Sequence, residues 1–208
     1  MVNWLKQLFH PGMDWRECRF WVLDMEFTSL KPREGHILSA GWVCIEGGEI
    51  KLETAKHRLF RQGEQHSDNV ASSVHIHQIT DQQREVGVDL KLWLQHNLLQ
   101  YQNDYWVFHH APLDLAYLKD HCKRYDLYWP KPIWFDTLHY ERKKLPPGLP
   151  GNYRELNLNA CRRRYGLPTY RAHHALSDAL ATAELFLAQI RRELADAKTD
   201  RHLRRAYR

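Results

Sequence analysis

Residues 19–28 read RFWVLDMEFT, and residues 37–60 read ILSAGWVCIEGGEIKLETAKHRLF. The first stretch is a run of large apolar residues, which predicts a buried strand over 19–25. Residues 37–46 predict a second strand, and 49–60 a third. Gly47-Gly48 between those two is a hairpin turn signal, so the pair is antiparallel. Further along, apolar residues at 90, 92, 94, 98 and 99 fit a helix over 89–101. Residues 105–109 (YWVFH) form a fourth predicted strand. A helix follows over 113–125, with Pro112 suited to its first turn. A fifth, short strand is expected at 133–136, a loop at 146–151, and helices at 156–165 and 175–191. Three antiparallel strands followed by strands alternating with helices predict an α/β fold. Its core is a mixed five-stranded sheet flanked by helices.

The chain has 208 residues. At roughly 150 residues per domain, one large domain is expected. Hydrophobic residues make up 43% and charged residues 26%, which excludes disorder over most of the chain. No window approaches the ~18 uninterrupted apolar residues of a membrane span, so no membrane partner is expected. The apolar segment at 4–9 is short and lacks a small-residue cleavage site. Cysteines stand at 18, 44, 122 and 161, with no CxxC pair, which leaves no sequence-local zinc or redox motif. Four buried, reduced thiols in a cytoplasmic protein are the expectation. The formal net charge is +5, and residues 191–208 hold seven basic and three acidic side chains, or +4 of it. That excess suits a polyanionic partner without being diagnostic of one. Residues 1–18 read as an amphipathic extension broken at Pro11-Gly12, 19–192 as the main domain, and 193–208 as a basic tail.

The chemistry is carried by acids. Asp24 and Glu26, spaced i and i+2, share one face of the first strand. Two adjacent carboxylates repel, and burying them unpaired costs several kcal/mol. A divalent cation removes that penalty. Asp114 lies where the fourth strand gives way to a helix, and Asp178 lies near the start of the last helix. Either acid alone would be an ordinary helix N-terminal residue. Together the four fall at element ends on one side of the expected sheet. Mg²⁺ is held by a few carboxylates plus substrate phosphates. Two such ions about 3.5–4 Å apart stabilise the attacking and leaving oxygens of an in-line displacement at phosphorus.

These residues resemble the motifs of the DEDDh-type 3′–5′ exonucleases of the DnaQ-like family, which have an RNase H-like fold. Asp24-Met-Glu-Phe-Thr28 is similar to the family's DxExT, and His109-His-Ala-Pro-Leu-Asp114 to its HNxxFD. His173-His-Ala-Leu-Ser-Asp178 is similar to its HxAxxD, and Ile76-His77-Gln-Ile-Thr80 to its VHGIT loop. The resemblance covers about residues 19–190 and makes 19–192 the exonuclease domain. It implies two Mg²⁺ or Mn²⁺ ions held by Asp24, Glu26, Asp114 and Asp178. His173 is the implied general base, since an ordinary imidazole near pKa 6.5 suits that work. His174 also precedes Asp178, but His173 stands five residues before it, as the DEDDh group requires. Thr28, Ser29, His77 and His109 are the implied substrate contacts. Ser29 replaces the family's usual Gly, Leu113 its Phe, and His110 its Asn.

The implied reaction is release of nucleoside 5′-monophosphates from single-stranded 3′ ends. DNA is the expected strand, and RNA stays open because a few contacts to the 2′-OH decide it. Only 18 residues follow Ile190, so an enzyme acting apart from a polymerase is the expectation, with an RNA-trimming or oligoribonuclease-type enzyme or a polymerase-associated proofreading subunit as the alternatives. A homodimer is left open. Trp129, Trp134, Tyr140 and the basic residues 142–144 are either core aromatics with a solvated basic face or a lip that stacks bases. Two readings of other classes remain: an inactive nucleic-acid-binding module, and a structural protein whose acids only cap helices.

Overall fold

The strand period organises the molecule around its first strand. The computed structural model describes residues 14–61, 79, 85–145 and 156–196. Strand β1 (Phe20–Phe27) pairs antiparallel with β2 (Ile37–Glu46) on one side and parallel with β4 (Tyr105–Phe108) on the other. Strand β3 (Glu49–Leu59) completes the hairpin with β2, and β5 (Ile133–Asp136) lies parallel beyond β4. The order is β3-β2-β1-β4-β5, the mixed sheet expected from the sequence.

Because side chains alternate along a strand, β1 feeds two cores. Trp21, Leu23 and Met25 point to one face. There they meet Trp42, Trp93 and Trp106 beneath helices α1 (Leu90–Gln100) and α2 (Ala111–Arg124). Trp21 is fully buried, stacked on Tyr101 at 4.5 Å and edge-on to Trp106 at 4.9 Å. Phe20 and Val22 point to the other face and pack with Val43, Val107, Phe135 and Phe186. Phe186 belongs to the long last helix, Ala175–Asp196. Two short helices, α3 (Thr137–Lys143) and α4 (Leu158–Arg163), fill the remaining corner against it. In chain order that last helix is α5.

Helix starts are fixed by local chemistry. Asp89 accepts the Leu92 N–H at 2.8 Å, and Asn157 accepts the Ala160 N–H at 2.9 Å, each satisfying a first-turn donor. Pro112 sits in the first turn of α2, where its missing N–H is harmless. Gly41 on β2 matters differently. A Cβ there would fall 2.1 Å from the Leu176 nitrogen, so the start of α5 rests directly on bare strand backbone.

The differences from expectation are local. Strand β1 runs two residues past 25, because the ladder continues through Glu26 opposite Ser39. Helix α3 is an addition. Of the aromatic group near it, Tyr140 is buried in the core, half-buried Trp129 packs edge-on to Trp106 at 5.9 Å, and Trp134 is exposed. All four cysteines are buried thiols. No helix among the described residues is long and apolar enough to cross a membrane. Residues 1–13, the loop at 146–151 and the tail beyond 196 lie outside the described residues.

Candidate metal centre

The same alternation that sends Trp21 into one core sends Asp24 and Glu26 toward α5. Asp178 sits in the first turn of that helix. Carboxylate oxygens of Asp24, Glu26 and Asp178 all lie within 4.8 Å of one another. Asp114, in the first turn of α2, is 6% exposed and lines the same open cavity of about 510 Å³. It stands outside the three-oxygen group but completes the acidic wall. The structure thus brings all four predicted acids to one cavity.

Asp114 is placed by a residue that sequence reasoning missed. The Asp136 carboxylate, at the end of β5, accepts the N–H groups of His110 and Ala111, each at 3.1 Å. It also accepts those of Leu138 at 2.9 Å and His139 at 3.1 Å. One buried carboxylate therefore ties together the starts of α2 and α3. His110 is left-handed (φ 80°), which lets β4 turn sharply into α2. The detectable signal was an Asp just before Thr137-Leu138-His139, the pattern of a helix cap.

Electrostatically the site is unfavourable on its own. Burial pushes Asp24 well above the ordinary carboxylate range, and Asp178, Asp114 and Glu26 push it further. Burial, then Asp178, raises Glu26 to about 7. Asp114 is raised mainly by burial, with Asp136 and Glu26 adding to it. Asp178 is raised by burial against the opposing pull of the His173 N–H. Its Oδ1 is buried without a hydrogen-bond partner among the described residues. Oxygen-only donors, close together and short of positive charge, fit a hard divalent cation.

The two histidines separate. His173 is exposed, lines the cavity and donates its N–H to Asp178 Oδ2 at 3.2 Å. His174 does not line it. Its carbonyl accepts the Asp178 N–H at 3.0 Å, which makes it the cap of α5. Thr28 and Ser29 line the cavity too. Thr28 Oγ1 accepts the His36 N–H at 2.9 Å, and the Ser29 carbonyl accepts the Tyr117 hydroxyl at 2.7 Å, so α2 pins this loop. His109 lines the cavity from beneath, and burial pushes it down to about 4. Thr137 Oγ1 lies 2.7 Å from His109 Nδ1 and 3.2 Å from the Phe108 carbonyl, so the threonine hydroxyl ties the ring to the end of β4. His77 lies outside the described residues. Sequence reasoning also missed Tyr170, which faces Asp178. Burial, Asp178 and Asp24 hold its hydroxyl above the ordinary range.

A mixed sheet in this order, with carboxylates of its central strand facing a helix start, is the RNase H-like fold of DnaQ-like 3′–5′ exonucleases. The chain belongs to the exonuclease family RNase T, whose model matches residues 21–186. It is similar to the PolC-type DNA polymerase III of Thermotoga maritima, with 31% identity over 172 residues, 82% of this chain and 12% of that protein. The Thermotoga petrophila counterpart is also 31% identical, over 81% of this chain and 12% of its own length. The chain therefore spans about an eighth of the curated relatives it matches. Among solved structures, Escherichia coli exonuclease I with a dT13 oligonucleotide superposes with a TM-score of 0.71. Identity there is 14%, over 88% of this chain and 44% of that one. The zinc-bound exonuclease I–single-stranded DNA complex gives 0.70 at 14%, over 85% and 41%. At that identity the likeness speaks for the fold.

Proposed function

We propose that the chain is a metal-dependent 3′–5′ exonuclease that removes nucleoside 5′-monophosphates from single-stranded DNA. The observation that carries this reading is the set of Asp24, Glu26 and Asp178 oxygens within 4.8 Å, with Asp114 on the same cavity and His173 at its edge. The four carboxylates would hold the ions. When bound, two Mg²⁺ or Mn²⁺ ions supply positive charge to the scissile phosphate and make water easier to deprotonate.

His173 takes the proton of the attacking water on its imidazole. Its exposure lets that proton exchange with solvent, and its N–H bond to Asp178 keeps it beside the acids. The water oxygen bonds to phosphorus as the bond to the 3′-oxygen of the preceding nucleotide breaks. That oxygen takes a proton from water, leaving a 3′-hydroxyl end. Thr28 and Ser29 form the wall against which the terminal nucleotide sits.

The DNA assignment is supported by relatives named as DNA polymerases and by neighbours described with single-stranded DNA. The test is a gel assay of the purified chain on 5′-labelled single-stranded DNA and RNA of one sequence, with Mg²⁺, Mn²⁺ or EDTA. A metal-dependent ladder shortening from the 3′ end, faster on DNA, is expected. Faster loss of RNA would reassign the sugar, and no shortening with a folded protein would favour a binding module.

A further inference from the structure

His57 lies on β3, paired with Gly41 of β2, and has no part in the reaction above. Gly41 is where the start of α5 meets bare strand backbone. From the neighbouring strand, His57 reaches that same helix start. Its ring lies 4.5 Å from the ring of His174, with 34° between the planes. His57 Nε2 is buried with no hydrogen-bond partner among the described residues, so the ring serves as a packing surface. Burial, with His174 and Arg58 nearby, pushes His57 down to about 4, which leaves it an uncharged face at neutral pH.

His174 needs such a support. It is exposed, and its other side-chain contacts are the Ser177 N–H and hydroxyl, each at 3.4 Å from Nδ1, which is long. The preceding His173 is left-handed (φ 67°), a conformation that persists only when surrounding structure holds it.

We propose that His57 is a positioning residue: by packing its tilted ring against His174 it fixes the turn that presents His173 to the acidic cavity. The catalytic half of this inference rests on the exonuclease reading of His173; the contact itself does not.

The experiment uses the full chain as wild type, His57→Ala, His57→Phe, His174→Ala and the double variant His57→Ala with His174→Ala. It reads kcat and KM on labelled single-stranded DNA, melting temperature, and hydrogen exchange of the 172–178 segment. His57→Ala should lower kcat about tenfold with KM within about twofold, because a misplaced base slows the step without weakening binding. Exchange of the His173 amide should rise about tenfold, as its bond to Asp178 opens more often. His57→Phe keeps a flat ring and should restore both. His174→Ala should match His57→Ala, and the double variant should add nothing further.

Unchanged exchange at His173 in His57→Ala would overturn the proposal, as would failure of Phe to restore it. A fall in kcat that only follows the folded fraction would assign His57 to stability alone and also overturn it. If the wild type cleaves nothing, the exonuclease reading falls, and the exchange arm still decides whether His57 holds this turn.

Discussion

The two halves of β1 obey one geometry and do opposite things. Residues 20–23 are apolar and buried on both faces, with Trp21 packed among Tyr101, Trp93 and Trp106. Residues 24–27 keep the alternation, yet Asp24 and Glu26 occupy the face that Phe20 and Val22 fill with carbon further up. The first half stabilises the fold. The second places two carboxylates beside Asp178, where they repel each other and favour a cation. Stability and chemistry are separated by less than one strand length.

The sharpest break of this comparison is Asp24→Asn. It removes a negative donor and leaves the shape, so hydrolysis should fall on the order of 10⁴-fold, about 5 kcal/mol of barrier. Its metal-free melting temperature should rise or hold, because a repelling charge has gone. A matching loss of stability would show the acids to be structural.

Trp21→Ala attacks the other half. Emptying an aromatic site in a packed core costs about 3–5 kcal/mol. Denaturant unfolding should show that loss, while the folded fraction keeps its metal-dependent turnover.

Metal should act only on the second half. At a hundredfold excess over its Kd, one ion that binds only the folded chain adds about 2.7 kcal/mol. Thermal unfolding in Mn²⁺ against EDTA reads this. The pH dependence follows from Glu26, whose folded pKa of about 7 lies above its ordinary 4.5. The folded chain then binds more protons than the unfolded one between those values. Stability from this group is full below about pH 4.5 and is lost as pH rises through 7. In EDTA the melting temperature should gain least, or fall, between those limits, and Mn²⁺ should reverse that trend. Asp24→Asn should weaken the metal effect.

The smallest effect comes from a cap remote from the cavity. Asp89→Ala leaves the Leu92 N–H without its acceptor and should cost about 1 kcal/mol, read by denaturant titration, with kcat unchanged. A change in kcat would link α1 to the site.

The legibility of these regions in the sequence follows the same division. Hydrophobic runs and the Gly47-Gly48 turn are local signals, and they reveal the five strands and the hairpin, while the order β3-β2-β1-β4-β5 comes from the structure. The period of two is enough to put Asp24 and Glu26 on one face. The end of β1 is less legible, because the apolar run stops at Met25 while backbone pairing continues to Phe27. Helix α3 spans only two turns, too short for a periodic pattern, and it forms because Leu138 and Tyr140 are buried and Asp136 caps it. His57 and Tyr170 carry no local signal at all. His57 joins the site through tertiary packing from β3, more than a hundred residues before His174. Tyr170 reaches Asp178 from the loop ahead of α5.

The central claim is that the acidic half of β1, together with α5, hydrolyses the terminal phosphodiester of a 3′ end. The most direct test is single-stranded DNA digested in ¹⁸O-labelled water with Mn²⁺, with the released product analysed by mass spectrometry. The account predicts nucleoside 5′-monophosphate carrying one ¹⁸O on phosphorus, from wild type and not from Asp24→Asn. A nucleoside 3′-phosphate, an internal fragment, or equal product from the variant would contradict it.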